Sequence, residues 1–321
     1  MKQALLECDF YRETGSRFRM LNLLGESKKT LKGNKYGYLT KVLYMLPSTY
    51  AAEFLQGENA QKIVAAVADK FGISRKELSS MIEAHNACLF ADKCREDCLA
   101  KTSGHLAMTD SQHYMFAKTC LWLANPQWFA DQVQVEVGRL EMQAIRKTKK
   151  DGMRWRTAVR LNGGTDVAWE DTVMRSVIEE YPSTAWYDYT KIEQRMMRYM
   201  TGQSWPRPYT LTFSAGSSND LAVDRVRKAG GNVAVVVRDR VSGWDNRGDL
   251  TDTHPGDDDD LRFLDPPSVW VLLKPMGSAR KSTSRFIRKD LREQMVRSMA
   301  ASRRRFKNRV LGAPAYHYQT D

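Results

Sequence analysis

Short apolar runs alternate with amphipathic stretches along most of the 321-residue sequence, and this alternation predicts a parallel α/β fold. Six of the runs have the length and composition of buried strands. They are VLYMLP (42–47), TAVRLN (157–162), AWYDY (185–189), YTLTFS (209–214), NVAVVVR (232–238) and VWVLLK (269–274). Six βα units fit a six-stranded parallel partial barrel better than a complete eight-stranded barrel.

A helical pattern at residues 50–86 interrupts this series after the first predicted strand. Within it, Ala68, Gly72 and Leu78 occupy the positions of the small residue, the turn glycine and the core residue of a helix-turn-helix. The pattern is compatible with DNA reading and with a helical insertion that only packs against the fold. The chain then divides into four parts: an N-terminal segment with the first strand (1–49), the helical insertion (50–86), a cysteine loop with the remaining strands (87–277) and a basic tail (278–321).

Three of the five cysteines, Cys88, Cys94 and Cys98, follow the insertion in a C-x5-C-x3-C pattern. The first twenty residues contain no continuous apolar run, and no segment approaches the roughly 18 apolar residues of a membrane span. We therefore expect a cytoplasmic protein with no membrane partner, in a compartment that keeps thiols reduced. Clustered thiols in that setting indicate a metal or a redox reaction rather than disulfides.

Two kinds of metal site fit three clustered thiols. One is a structural zinc site, completed by His85, His105 or the more distant Cys120. The other is a 4Fe–4S cluster held by three thiolates, with one iron left open for a substrate or cofactor. The spacing of the cysteines does not decide between them.

Polar residues at the ends of the predicted strands define a candidate site, because ligands of parallel α/β folds bind at the carboxyl ends of the strands. The candidate catalytic residues are Asp166, Asp188 and Lys191. The candidate cofactor-binding residues are Asn162, Ser214, Asn219, Arg238 and Lys274.

The net charge of +12 is concentrated near the C-terminus. Twelve Lys or Arg residues stand against only Asp290 and Glu293 between Ser278 and Arg309, so we expect this tail to contact the phosphates of a nucleic acid. The candidate contact residues are Arg280, Lys281, Arg285, Arg288, Arg303, Arg304 and Arg305. An acidic run, Asp257–Asp260, lies in the long loop predicted at residues 241–265; it is expected to bind a cation, to pair with the tail or to be solvated.

A three-cysteine loop after the first strand of a six-stranded βα partial barrel resembles the architecture of radical S-adenosylmethionine enzymes. That resemblance implies a 4Fe–4S cluster on Cys88, Cys94 and Cys98, with S-adenosylmethionine as a second cofactor and radical chemistry as the reaction type. The usual motif of those enzymes is C-x3-C-x2-C with an aromatic residue before the last cysteine. Here the spacing is C-x5-C-x3-C, and Asp97 precedes Cys98.

The sequence is also similar to a family of uncharacterised bacteriophage proteins. The similar pieces include KTLKGNKYGYLT (29–40), VLYMLPST (42–49), VRLNGGTDVAWED (159–171), WYDYTK (186–191), LTFSAGSSND (211–220), DLRFLDP (260–266) and VLLKPMG (271–277), together with the cysteine motif. This resemblance leaves residues 50–86 as an insertion particular to a lineage and implies no reaction. Two functions follow as hypotheses: an iron–sulfur enzyme acting on nucleic acid or a nucleotide, and a non-catalytic DNA-binding protein with a structural zinc.

Overall fold

A mostly parallel sheet of eight strands forms the centre of the α/β fold in a computed structural model, which describes residues 22–239 and 252–310. The strands are β1 (Leu24–Gly25), β2 (Tyr38–Leu43), β3 (Arg156–Arg160), β4 (Ala185–Thr190), β5 (Tyr209–Ser214), β6 (Val233–Val236), β7 (Thr253–Pro255) and β8 (Trp270–Leu273). Their order across the sheet is β1-β2-β3-β4-β5-β6-β8-β7. Only β1 pairs antiparallel, with β2. Parts of the predicted N-terminal segment (1–21), of the predicted loop (240–251) and of the tail (311–321) lie outside the described residues.

The predicted parallel α/β fold is confirmed, but the predicted count of six strands is wrong. The six predicted strands correspond to β2, β3, β4, β5, β6 and β8, which are adjacent, parallel and in chain order. The first of them spans Tyr38–Leu43 rather than residues 42–47. The two additional strands, β1 and β7, have two and three residues and lack an apolar run. A barrel is not confirmed, because no pairing within the described residues joins β1 to β7.

Helices separate the successive parallel strands from β2 to β6 and pack against the sheet. They are α1 (Tyr50–Phe54), α2 (Glu58–Phe71), α3 (Arg75–Ala84), α4 (Leu99–Thr102), α5 (Thr109–Ala124), α6 (Pro126–Asp151), α7 (Met174–Glu180), α8 (Glu193–Thr201), α9 (Asp220–Lys228) and α10 (Leu291–Val310). Among these helices of the described residues, none combines the length and apolar character of a membrane-spanning segment.

The segment at residues 50–84 is helical and packs against α5 through a shared apolar core. Ile63 and Val67 of α2 and Leu78 and Ile82 of α3 are buried in that core. Gly72 ends α2 in the left-handed conformation (φ 66°), which suits glycine because it has no side chain to clash. The predicted turn between two short helices therefore exists, and its apolar positions are used for packing.

The segment from Ser278 to Val310 is largely folded onto the sheet rather than being a separate appendage. Arg288 forms a parallel bridge with Val237, next to β6. The Asp220 side chain, at the start of α9, accepts hydrogen bonds from Gln294 Nε2 (3.0 Å) and Arg297 Nε (3.1 Å) of α10. These contacts hold α10 against α9, so the end of the chain contributes to the fold.

Candidate functional site

A cleft of about 230 Å³ opens at the carboxyl ends of the parallel strands. Strand ends and the turns that follow them supply part of its lining, namely Pro47, Ser48, Asn162, Gly163, Gly164, Thr165, Asp166, Thr190, Lys191, Ser214, Val236 and Leu273. The cysteine segment supplies another part, with Cys88, Cys94 and Cys98 all among the lining residues. The structure therefore brings the three predicted metal ligands to the predicted edge of the sheet.

Backbone hydrogen bonds hold the cysteine segment against the strand ends. The Ala87 N–H donates to the Ser48 carbonyl (3.3 Å) after β2, and the Asp166 N–H donates to the Ala87 carbonyl (2.7 Å) after β3. The Cys88 thiol donates to the Gly164 carbonyl at a distance of 3.7 Å. The first thiol thus lies where the polar turn after β3 meets the cysteine segment.

Glycines allow two further close approaches to α4, the helix that follows Cys98. A Cβ atom at Gly164 would lie 2.5 Å from the Cβ of Ala100, which is much closer than real side chains approach. A Cβ atom at Gly277 would lie 2.8 Å from the Thr102 carbonyl oxygen. The turn after β3 and the segment after β8 therefore both close on α4, and this contact fixes the position of Cys98.

Replacing Gly164 with alanine is expected to lower the free energy of unfolding by about 1–3 kcal/mol, because the new methyl group overpacks the contact with Ala100. Gly25 is the matched control, since a Cβ atom there would meet only the Val42 carbonyl oxygen at 3.9 Å. The Gly25→Ala variant should change stability by no more than about 0.5 kcal/mol. Urea denaturation of both variants measures the difference, and equal losses would contradict the close approach.

Burial favours the protonated thiols of Cys88 and Cys98 in the absence of a ligand. It raises the pKa of Cys88 to about 12 and also raises the pKa of Cys98. Burial by itself would lower the pKa of Lys191, but nearby Cys94 and Asp166 outweigh it and raise that pKa. A metal that binds here must therefore displace protons from the thiols. The Lys191 ammonium group lines the same cleft and can balance the negative charge of the resulting thiolates.

The donor chemistry of the cleft fits a soft metal or a cluster, because three half-buried thiols share one lining. Within the described residues, no group of three or more His, Cys, Asp or Glu side chains stands in an arrangement that could hold a metal ion. The three thiols line the same cleft, but their side chains would have to turn to bind a metal or a cluster.

Two of the residues proposed to complete a zinc site lie elsewhere. Cys120 is fully buried on α5, and neither Cys120 nor His85 lines the cleft. His85 ends α3, and its buried Nε2 atom has no hydrogen-bond partner among the described residues. The side chain of His105 lies outside the described residues. The three cysteines thus share the cleft with Lys191 and Asp166, and not with Cys120 or His85.

Asn162 and Asp188 together build the turn after β3. Asp188 is fully buried, lies outside the lining of the cleft, and accepts hydrogen bonds from Asn162 N (2.7 Å), Asn162 Nδ2 (3.0 Å) and the Tyr209 hydroxyl (2.5 Å). Burial raises its pKa to about 6. The Asn162 Oδ1 atom accepts from the Thr165 hydroxyl (2.7 Å). The carboxylate of Asp188, which was predicted to be catalytic, therefore shapes the turn through these hydrogen bonds.

Asp166 lines the cleft and connects it to a buried ion network. One carboxylate oxygen accepts from the Lys191 N–H (2.7 Å), and the other accepts from Arg195 Nη1 (3.2 Å). Arg195 is buried and also donates to Glu170 (2.9 Å) and to the Tyr209 hydroxyl (2.7 Å). This network fixes Asp166 and the backbone of Lys191, which places the Lys191 side chain in the cleft.

The region that contains these residues matches a known sequence family. A family model described as Gene product 88 matches residues 51–290, which is more than half of the chain. The chain belongs to the Gene product 88 family. The match supports the predicted relation to a phage-type family, and because it begins at residue 51, the helical segment at 50–86 is not an insertion outside that family. No curated protein and no solved structure gives a significant match, and the radical S-adenosylmethionine resemblance is not confirmed.

The remaining predicted cofactor ligands have mixed positions in this Gene product 88 chain. Ser214 lines the cleft, whereas Asn219, Arg238 and Lys274 do not. The Asn219 side chain closes its own turn by accepting from Gly216 N (2.6 Å). Arg238 Nη1 donates to the Arg280 carbonyl (2.8 Å), and so holds the C-terminal segment. Short polar residues that follow a strand, such as Asn219, also serve to close turns.

Sequence analysis missed a second polar end of the cleft. Lys29, Arg160 and Tyr189 line it, together with Phe286 of the C-terminal segment. Lys29 Nζ lies 3.1 Å from Asp260 Oδ1, and Arg160 Nη1 lies 3.3 Å from Asp260 Oδ2. One member of the acidic run, Asp260, thus pairs with basic residues, but these residues lie outside the tail. The sequence signal for this end was Arg160, a basic residue inside the predicted strand at residues 157–162.

The predicted nucleic-acid contacts divide by exposure. Arg280, Lys281, Arg285 and Arg304 are exposed, while the side chains of Arg303 and Arg305 lie outside the described residues. Arg288 is the exception, because it is fully buried and donates to the Gly216 carbonyl (2.5 Å) and to Gln294 (2.7 Å). Burial also lowers the pKa of Arg288 to about 10. The Arg288 side chain, which was predicted to contact phosphate, is therefore held inside the fold, and its buried Nη1 atom has no hydrogen-bond partner among the described residues.

Proposed function

We propose that the cleft holds a 4Fe–4S cluster on Cys88, Cys94 and Cys98, and that the protein is a radical S-adenosylmethionine-like enzyme acting on a nucleotide or nucleic acid. The observation that carries the proposal is the position of all three thiols in one cleft at the carboxyl ends of parallel strands. Six parallel strands adjacent in chain order are compatible with the partial barrel of such enzymes. A reduced compartment, the host cytoplasm, suits this chemistry.

When bound, such a cluster supplies one-electron transfer and an open iron at which a cofactor such as S-adenosylmethionine is held. The chain's own residues prepare the surroundings. Lys191 offsets the negative charge that the thiols acquire when they lose their protons, and Asp166 with Arg195 holds the Lys191 backbone in place. Phe90 and Phe286 line the cleft and limit the access of water.

Anaerobic purification of the full chain, followed by iron, sulfide and zinc analysis, tests this proposal. We expect about four irons per chain and a broad visible absorbance that is lost in air. The Cys88→Ala, Cys94→Ala and Cys98→Ala variants should each lose most of the iron. Cys120→Ala is the matched control, because Cys120 is buried outside the cleft and its loss should leave the iron content unchanged.

A non-catalytic DNA-binding protein with a structural zinc is the alternative. Exposed Arg280, Lys281 and Arg285 and the helix pair α2–α3 favour it. One zinc and no iron per chain, lost in the three cysteine variants, would replace the enzyme proposal with this one. Iron that survives all three cysteine substitutions would contradict both.

A further inference from the structure

Lys29, Arg160 and Tyr189 form one end of the cleft. Some of their polar atoms have no hydrogen-bond partner among the described residues. Arg160 is the last residue of β3, and only 16% of its side chain is exposed. Its Nε atom donates to the Asn162 carbonyl (3.2 Å) and its Nη1 atom to Asp260. Among the described residues, no hydrogen-bond acceptor is assigned to its Nη2 atom.

Tyr189 supplies a second unused group beside Arg160. The guanidinium carbon of Arg160 lies 4.8 Å from the centroid of the Tyr189 ring, so the two side chains are in direct contact. The Tyr189 hydroxyl is buried and has no hydrogen-bond partner within the described chain. A buried hydroxyl without a partner costs free energy, and a bound ligand would relieve that cost.

The charges at this end are also unequal. Lys29 and Arg160 both pair with Asp260, so two cations share one carboxylate. Burial raises the pKa of Asp260, but Lys29 and Arg160 outweigh it and hold that pKa at about 2. Asp260 is therefore ionised at neutral pH, so Lys29, Arg160 and Asp260 together carry one positive charge. Arg262, which also acts on Asp260, pairs with Asp259 and Asp265.

We propose that Lys29, Arg160 and the Tyr189 hydroxyl bind the anionic group, a phosphate ester or a carboxylate, of a small ligand. A guanidinium fork and an ammonium group are the usual partners of both anions. The rest of the ligand lies along Val236, Leu273 and Phe286 towards the thiols. This inference names the class of ligand that the cleft binds. It rests on the proposed function only because it takes the cleft to be the active site.

The volume of the cleft restricts what enters it. Ligand sites commonly have about 300–1,000 Å³, and this cleft of about 230 Å³ is smaller. A duplex does not fit a cleft of this size, so a nucleic acid would have to present a terminal or extruded nucleotide.

Calorimetric titration with matched probes tests the inference. Ribonucleoside monophosphates are compared with the corresponding nucleosides, and succinate is compared with succinamide, all at one ionic strength. We expect at least one anionic probe to bind tenfold or more tightly than its neutral partner. Preference for monophosphates identifies a phosphate site, and preference for succinate identifies a carboxylate site. The absence of preference in both pairs would overturn the inference.

Tyr189→Phe is the decisive variant, because it removes only a hydroxyl that has no partner in the fold. We expect a melting temperature at least as high as that of the wild type, because the lost hydroxyl had no partner, and a loss of roughly tenfold in affinity for the preferred anion, as for a hydrogen bond to a charged group. Lys29→Gln should cause a similar loss. Lys32→Gln is the charge-matched control, because Lys32 donates to the exposed Asp257 carbonyl and does not line the cleft.

The two proposals fail separately. Anion preference that survives both Tyr189→Phe and Lys29→Gln would place the anion elsewhere and overturn this inference. Iron content measured on the same samples reports on the cysteines alone. Iron without anion preference overturns only this inference, and anion preference without iron overturns only the cluster.

Discussion

Replacing Arg195 with methionine is expected to lower the free energy of unfolding by about 3–5 kcal/mol. The Arg195 guanidinium is buried and pairs with Glu170 (2.9 Å), whose carboxylate is also buried, and with Asp166 (3.2 Å). Methionine retains much of the volume of the side chain but leaves two carboxylates without this partner. Urea titrations of the wild type and the variant at neutral pH measure the loss.

Arg198→Gln is the matched control for the Arg195 variant. Arg198 pairs with the same Glu170 carboxylate (3.3 Å), but 37% of its side chain is exposed to solvent. An exposed ion pair contributes little, so this variant should lose about 1 kcal/mol or less. If both variants lost the same amount, burial of the network would not be the source of its stability.

Changing Arg280, Lys281 and Arg285 together to glutamine is expected to weaken DNA binding strongly at low salt and to flatten its salt dependence. Each phosphate contact contributes about 0.9 to the slope of log affinity against log salt, so the slope should fall by up to about 3. The three side chains are exposed in the segment that precedes α10. Fluorescence anisotropy over a salt series, with duplex and single-stranded DNA, measures the slope.

The structure dictates the form of this experiment. Deleting residues 278–321 would also remove buried Arg288 and the contacts of Asp220 with α10, so a changed affinity would have two explanations. A charge-matched control is Arg146, Lys149 and Lys150 changed to glutamine, since these exposed residues lie on α6. The same slope for both triple variants would show that residues 280–285 are not the phosphate contacts.

The central strands were predictable because burial on both faces gives a parallel strand a continuous apolar run, as in NVAVVVR. The strands β1 and β7 were not, because two or three residues cannot carry such a signal. Closure of a barrel was inferred from the number of strands. Whether the edges of a sheet meet depends on the twist and register of every strand, which apolar patterning does not encode.

The gathering of the cysteines and strand ends was predictable from one rule about parallel sheets, and the structure brings Cys88, Asp166 and Lys191 to the same cleft. The role of each polar side chain in the cleft was not predictable from the sequence. The Tyr209 hydroxyl donates a hydrogen bond to Asp188 on the neighbouring strand. Asp260 forms an ion pair with Lys29, although the two residues are far apart in the sequence. Pairings between residues so distant in sequence leave no local pattern, so the buried networks and the anionic-ligand end were missed.

Because Phe286 lines the cleft, the lining is incomplete until residue 286 has been synthesised. Cys88, Cys94 and Cys98 leave the ribosome long before Phe286 does, and at roughly 5–20 residues per second the delay is on the order of ten seconds or more. During that interval the lining residues that follow Cys98 in the sequence, from Asn162 to Phe286, are still being made. We therefore expect the thiols of a nascent chain to be most open to loading, and to oxidation, until Phe286 has been made.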